Sequence, residues 1–406
     1  MLINMFCKKC GANIEDGSLF CSSCGAKQDA ASSTGDNSTI SHTQEKITTN
    51  ALIKNKKIVL GVGIILAISA ATMFYVNNSV GESYGVGFST KMLAVMGNAD
   101  AQVKVGERIF TPKKVEWFRK AAEQGNARAQ YLLGRCFWSG DGVVQDEKEA
   151  VMWFQKAANQ DYARAQATMG DAYNLGRGVK RNLELSVEWM RKAANQGLPY
   201  AQYCLGFSYF RGDGVTKDEV EAVRWYEKAV AQGYAAAMVN LGLCYEYGMG
   251  IEKNVQKAFE MYKKASDKGE YLGTINLASM YERGVGVQKN LKEAFRLYKK
   301  IAEKKGIKIL GIDNKSYIGE AACNVGRMYQ YGLGVDKNPK EAVVWYKKAE
   351  EFGNANACSR LAVCYFLGDG VEVDYQKAYA LIRKAADMGD ELGKELLPDI
   401  EYFANN

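Results

Sequence analysis

Four stretches of the chain share one pattern of small, apolar and polar positions: "ARAQYLLGRCFWSGDGV" (127–143), "ARAQATMGDAYNLGRGV" (163–179), "YAQYCLGFSYFRGDGV" (200–215) and "AAMVNLGLCYEYGMGI" (236–251). In the first, Ala129, Leu133 and Phe137 recur every four residues, which predicts a helix with one buried stripe. Gly140, Gly142 and Val143 follow, and glycine there supplies the backbone freedom of a sharp turn. Acidic residues then open a second helix with an apolar stripe centred on Trp153, ending in a Lys-rich turn. The glycine of the first helix recurs at Gly134, Gly170, Gly206 and Gly242, a period of 36. Ala278 keeps the register, Gly326 follows after 48 residues and Ala362 after another 36. The second stripe keeps step at Trp153, Trp189, Trp225, Met261, Leu297, Trp345 and Leu381. Such a repeat predicts stacked helix–turn–helix units, an all-α solenoid.

Around this array the pattern changes. "GNADAQVKVGERIF" (97–110) mirrors "GNARAQYLLGRCFW" (125–138) with a shortened turn, which predicts a truncated leading repeat. "KKGIKILGIDNKSY" (304–317) carries the extra residues of repeat five, as a loop or helix extension. The segment from Ile58 to Val76 is nineteen residues without a charge, and as a helix it is about 28 Å long, close to bilayer thickness. A cleaved signal peptide would not follow 57 residues of other sequence. Lys54, Lys56 and Lys57 precede the span and no basic residue follows closely, so the N-terminus is expected in the cytoplasm and the repeats outside. Gly63, Ala67 and Ala71 would permit weak self-association in the membrane. Residues 29–57, rich in Ser, Thr and Asn, are expected to form a flexible linker.

Charge excludes one class of function. The net charge is +7, but residues 77–406 hold 46 Lys/Arg against 41 Asp/Glu, without the concentrated basic face of a nucleic-acid-binding protein. His42 is the single histidine, and it lies in the linker. No Ser-x2-Lys or Gly-x-Ser-x-Gly stands on a suitable turn, which argues against acyl-transfer chemistry. The Gly-x-Gly turns lack the preceding strand and the Lys-Ser/Thr ending of a phosphate loop.

At the start of the chain, Cys7, Cys10, Cys21 and Cys24 form two Cys-x2-Cys-Gly knuckles, a closed tetrahedral thiolate set suited to a structural Zn2+. Disulfides are the weaker reading on the cytoplasmic side, where thiols stay reduced. Cys136, Cys204, Cys244, Cys323, Cys358 and Cys364 all fall on first helices and read as buried thiols.

The unit A-x3-L-G-x2-Y-x2-G-x-G-V…K-A-x2-W-Y-x-K-A-A resembles the Sel1-like repeat, a relative of the tetratricopeptide repeat, over roughly residues 98–389. The N-terminal knuckles resemble the zinc ribbon found at the start of many bacterial membrane proteins. The first resemblance implies a right-handed superhelix whose first helices line a concave face, and a scaffold or adaptor role in place of catalysis. An envelope hydrolase of the β-lactamase-like or penicillin-binding type, known among cysteine-rich relatives, is the alternative. Secreted relatives staple the two helices of a unit with disulfides, an arrangement impossible here because no second helix contains a cysteine.

By analogy with tetratricopeptide repeats, the groove-facing positions are Arg128, Tyr131, Arg135 and Trp138 in repeat one and Tyr200, Tyr203, Phe207 and Phe210 in repeat three. Repeat two contributes Arg164 and Asp171, and repeat four Ala236, Val239, Leu243 and Glu246. Aromatic and arginine anchors favour a protein or peptide partner. The organisation expected is a zinc ribbon (5–28), linker (29–57), membrane helix (58–76), juxtamembrane segment (77–97), truncated repeat (98–125), seven repeats (126–389, with a 12-residue insertion near 303–317) and C-terminal cap (390–406). The function expected is that of a single-pass membrane protein presenting a non-enzymatic interaction scaffold outside the cell membrane.

Overall fold

A computed structural model describes residues 86–110, 112–305 and 314–405, together with the backbone of Met5–Phe6, Asn13–Ile14, Lys308–Ile309 and Ile312–Asp313. The chain divides into two units, 1–72 and 73–406. In the first, β1 (Met5–Phe6) pairs antiparallel with β2 (Asn13–Ile14). The expected zinc ligands and the apolar span Ile58–Val76 lie outside the described residues. Among the described residues no helix is long and apolar enough to cross a membrane, and no group of His, Cys, Asp or Glu could hold a metal ion.

The second unit is a sequence of helices, each packed on its neighbours in the chain. It opens with α1 (Phe88–Val95), α2 (Ala99–Gly106) and α3 (Lys113–Glu123). The repeats follow as α4 (Ala127–Ser139) with α5 (Glu147–Ala158), α6 (Ala163–Leu175) with α7 (Leu183–Asn195), and α8 (Pro199–Arg211) with α9 (Glu219–Ala231). Next come α10 (Ala235–Tyr247) with α11 (Val255–Asp267), and α12 (Tyr271–Arg283) with α13 (Leu291–Ala302). The last pairs are α14 (Lys315–Tyr331) with α15 (Pro339–Glu351) and α16 (Ala355–Leu367) with α17 (Tyr375–Asp387), closed by α18 (Glu391–Asn405).

The repeat sequence explains each boundary. Every second helix from α5 to α17 is preceded by Asp or Asn in extended backbone, as where Asp218 accepts a hydrogen bond from the Glu221 amide at 2.9 Å. Such a cap satisfies an amide that the first turn leaves without a partner. Each first helix from α4 to α16 stops at a left-handed glycine, Gly212 (φ 78°) in repeat three. The second glycine of the turn has a different task. A Cβ on Gly214 would lie 2.2 Å from the Leu183 carbonyl oxygen, in the first turn of the preceding repeat's α7. This is where successive repeats touch backbone to backbone. The mid-helix glycine admits a ring: a Cβ on Gly206 would stand 2.8 Å from buried Tyr226, and one on Gly134 2.7 Å from Phe154.

The tryptophan stripe and the lysine-rich turn prove to be one device. Lys156, Lys192 and Lys228 lie 3.9, 4.1 and 3.6 Å from the ring centroids of Trp153, Trp189 and Trp225, one helical turn away. Each covers an apolar ring with a solvated cation. Between the early repeats, buried glutamines act as staples. Gln130, Gln166 and Gln202 donate to the Ala122, Ala158 and Ala194 carbonyls and accept from Gln160, Gln196 and Gln232 at 2.7–2.8 Å. The apolar interior is divided there into separate clusters around Phe118, Phe154 and Met190, whereas one cluster runs from Ala222 to Cys364.

Three segments differ from or refine the expectation. Residues 88–95, within the stretch expected to be juxtamembrane, form α1, and the Ala94 carbonyl accepts from Gln102 as Ala122 does from Gln130. Thus α1 occupies the place of a second helix ahead of the leading pair α2–α3. The insertion supplies both a short antiparallel pair, β3 (Lys308–Ile309) with β4 (Ile312–Asp313), and an added turn at the start of α14. At the far end, Ile400 of α18 is buried with Ala362 and Ile382, closing the last repeat.

Candidate protein-interaction site

Between α6 and α8 lies a cavity of ≈130 Å³, bounded behind by Leu183, Ser186 and Met190 of α7. The α8 sequence places Tyr200, Tyr203, Cys204 and Phe207 on the side facing α6, and α6 contributes Asp171 and Asn174. Tyr203 is half-buried, its ring 5.3 Å from Tyr234 and 6.2 Å from Tyr226, while Phe207 stacks on it at 6.5 Å and remains 42% exposed. The Tyr200 hydroxyl donates to Asp171 Oδ1 at 2.7 Å, the single hydrogen bond that a described side chain gives this carboxylate. Burial pushes the Asp171 carboxyl up to about 6, only partly opposed by the Tyr200 hydrogen bond.

The expected groove residues therefore separate into three groups. Tyr200, Tyr203 and Phe207 converge on the cavity, whereas Phe210 turns toward the interior and is approached by Lys217 at 5.9 Å. Tyr131 and Trp138 serve packing: Tyr131 lies 5.3 Å from Tyr162 and 5.8 Å from Phe154, and Trp138 is edge-on to Phe154 at 5.6 Å beneath the Arg177 guanidinium. Arg128 is committed to Glu107 at 2.5 Å. Arg135 and Arg164 are exposed and have no acidic partner among the described residues, although they stand 29 positions apart, the same separation as Asp171 and Tyr200.

Farther along, several of the corresponding positions are already satisfied. Val239 is buried, and Glu246, 6% exposed, accepts from the Tyr262 hydroxyl at 2.9 Å and from Arg283 at 2.6 Å. Glu282 holds Arg327 at 2.7 Å. Tyr234, which completes the ring cluster from the turn before α10, is absent from the residues expected at the groove. Its sequence signal is Tyr162, which recurs at the same point of the unit 72 residues earlier.

The cysteines of the repeats are free, and burial pushes Cys204, Cys244 and Cys364 up to about 12 and Cys323 to about 11. These are inert thiols, in contrast to the lowered values of nucleophilic cysteines. The alternative of an envelope hydrolase gains no support from this environment.

A family model described as the Sel1 repeat matches residues 115–126, 127–162, 163–198, 199–234, 235–270, 273–305, 319–353 and 355–390, and one described as a zinc-ribbon domain matches 6–28. Among solved structures, a protective antigen present in uropathogenic Escherichia coli strains, described as displaying an SLR fold, is 35% identical, with 77% of this chain and 67% of that chain covered and a TM-score of 0.64. A Sel1 repeat protein from Oxalobacter formigenes is 30% identical over 77% of this chain and 90% of its own, with a TM-score of 0.59. No curated protein matches.

Proposed function

This chain belongs to the Sel1 repeat family, and we propose that it is a membrane-anchored, non-enzymatic scaffold that holds a protein partner against the first helices of repeats one to three. Sel1-repeat proteins are typically protein-interaction scaffolds. The observation that carries the placement is the cavity of Tyr200, Tyr203, Phe207 and Asp171, on a face where Glu246 and Glu282 farther along are already paired within the chain. Partly exposed aromatic rings beside a recess are the kind of feature on which interface energy concentrates. The anchor in this reading is Ile58–Val76, with Lys54, Lys56 and Lys57 keeping the N-terminus cytoplasmic and the repeats outside. The ribbon of Cys7, Cys10, Cys21 and Cys24 is then a closed Zn2+ site that folds a cytosolic head, and the zinc-ribbon match at 6–28 supports it.

The test places a photoreactive benzoyl-phenylalanine at Phe207 of the full chain in its own cells, with the same group at Val344, exposed on a second helix, as the control. A discrete adduct from position 207 and none from 344 is the expected outcome. Equal adducts from both, or none from either, would overturn the placement.

A further inference from the structure

We infer that the cavity between α6 and α8 seats one basic side chain, an arginine or lysine, of the polypeptide held on this face. The inference rests on the reading of that face as the partner-binding surface and adds the chemistry of the residue recognised.

Three observations converge. The first is an unfilled pattern. Three acids on or just past first helices are met by an arginine of the chain itself, Glu107–Arg128, Glu246–Arg283 and Glu282–Arg327, with separations of 2.5, 2.6 and 2.7 Å. Asp100, by contrast, accepts from Asn126, and Glu320 of α14, like Asp171, is raised by burial with no arginine paired to it among the described residues. At Asp171 the place of the arginine is taken by the Tyr200 hydroxyl, which engages one carboxylate oxygen, and no described basic side chain pairs with the other. The second is the lining. Tyr200, Tyr203 and Phe207 offer aromatic rings beside the carboxylate, and no lysine or arginine lines the recess. Ring faces carry negative potential, so a cation entering between them gains from the rings as well as from the acid. The third is size: ≈130 Å³ holds the end of one side chain, not a helix or strand.

Other occupants fit worse. An acidic side chain would meet Asp171 and also Asp213 on the rim, whose nearest cation, Arg211, stands 3.7 Å away. An aliphatic side chain would seal Asp171 from water without giving it a partner, a strongly unfavourable arrangement for a carboxylate. A guanidinium or ammonium restores what burial has removed, and the burial that pushes Asp171 up to about 6 is the state such a ligand relieves.

The test uses the full chain carrying a single trifluoromethyl-phenylalanine at Phe207, observed by fluorine NMR. It is titrated into the millimolar range with N-acetyl-arginine amide, N-acetyl-norleucine amide and N-acetyl-glutamate amide. A saturable shift with the arginine probe, at a concentration about tenfold or more below that of norleucine, is expected. That shift should be lost in Asp171→Asn and retained in Tyr200→Phe, which keeps both ring and acid. Equal response to norleucine, or an arginine titration unchanged by Asp171→Asn, would overturn the inference. If the crosslink at position 207 persists while the arginine probe fails, only the chemistry assigned here falls; if the crosslink is absent, the surface itself is wrong.

Discussion

Asp171→Asn should make repeats two and three more stable at neutral pH. The carboxyl is raised from 3.8 to about 6 by burial, so the folded chain binds its proton more tightly than the unfolded chain does. Stability contributed by the protonated form is complete below 3.8 and is lost as pH rises from there through about 6. The full difference is roughly 2 pK units at about 1.4 kcal/mol each, near 3 kcal/mol, and partial exposure brings the working figure to about 1–2 kcal/mol. The groups facing Asp171 are Tyr200 and Cys204 of α8, Tyr234 from the turn before α10 and, across the cavity, Asp213; none is a base that would offset the cost. Asparagine keeps the shape and still accepts from the Tyr200 hydroxyl. Hydrogen exchange of the full chain, read on peptides spanning 163–211, suits an array in which unfolding is local. At pH 7 the variant should exchange roughly 5- to 30-fold more slowly than the parent there. At pH 3.5 the two should agree within a few tenths of a kcal/mol. Faster exchange in the variant at pH 7, or the same difference at both pH values, would refute the reasoning.

Gly214→Ala should cost at least about 2 kcal/mol more than Gly197→Ala, measured by the same exchange experiment, because both have positive φ but a Cβ meets the Leu183 carbonyl only at 214. Equal costs would show that backbone conformation alone decides. Asp161 is the single described non-glycine residue with positive φ, at 58°, at a point where Gly125, Gly197, Gly233, Gly269, Gly353 and Gly389 stand in other repeats. Asp161→Gly should therefore stabilise the α5–α6 junction by up to about 1 kcal/mol, less what is lost with the 3.1 Å bond from Gln166, and a lower melting temperature would contradict this. Full-length protein should carry about one zinc by elemental analysis, and Cys21→Ser should remove it; metal content unaffected by that change would exclude the thiolate site.

The repeat was legible because several of its constraints are local. A capping Asp or Asn, a glycine opposite a ring and a left-handed stop each fix a residue type at one point of the 36-residue unit. The groove was legible only in part. Register alone placed Tyr200, Tyr203 and Phe207 on one face, but it gave Tyr131 and Trp138 the same standing, and their rings are taken up by Phe154, Tyr162 and Arg177 of other elements. Whether a ring packs or faces outward depends on the volume of the residue opposite, which periodicity does not contain. The lack of a basic partner at Asp171 was hidden for a related reason, since Arg164 and Arg135 are near in sequence but stand at a different junction. Helix α1 lacks the glycine and tryptophan marks of the array, although "GNA" at 97–99 and again at 125–127 indicates that a second helix precedes both.

The divided interior of the early repeats and the continuous one beyond Ala222 give the stack two kinds of junction. From Ala222 to Cys364 buried apolar side chains are continuous across the junctions, so a bend at any of them would expose apolar surface. Earlier junctions are also held by amide staples between small clusters, whose hydrogen bonds depend on geometry more sharply than apolar contact does. The recess beside Asp171 opens at one such stapled junction, so a ligand wedged between α6 and α8 would bear directly on the angle between repeats two and three.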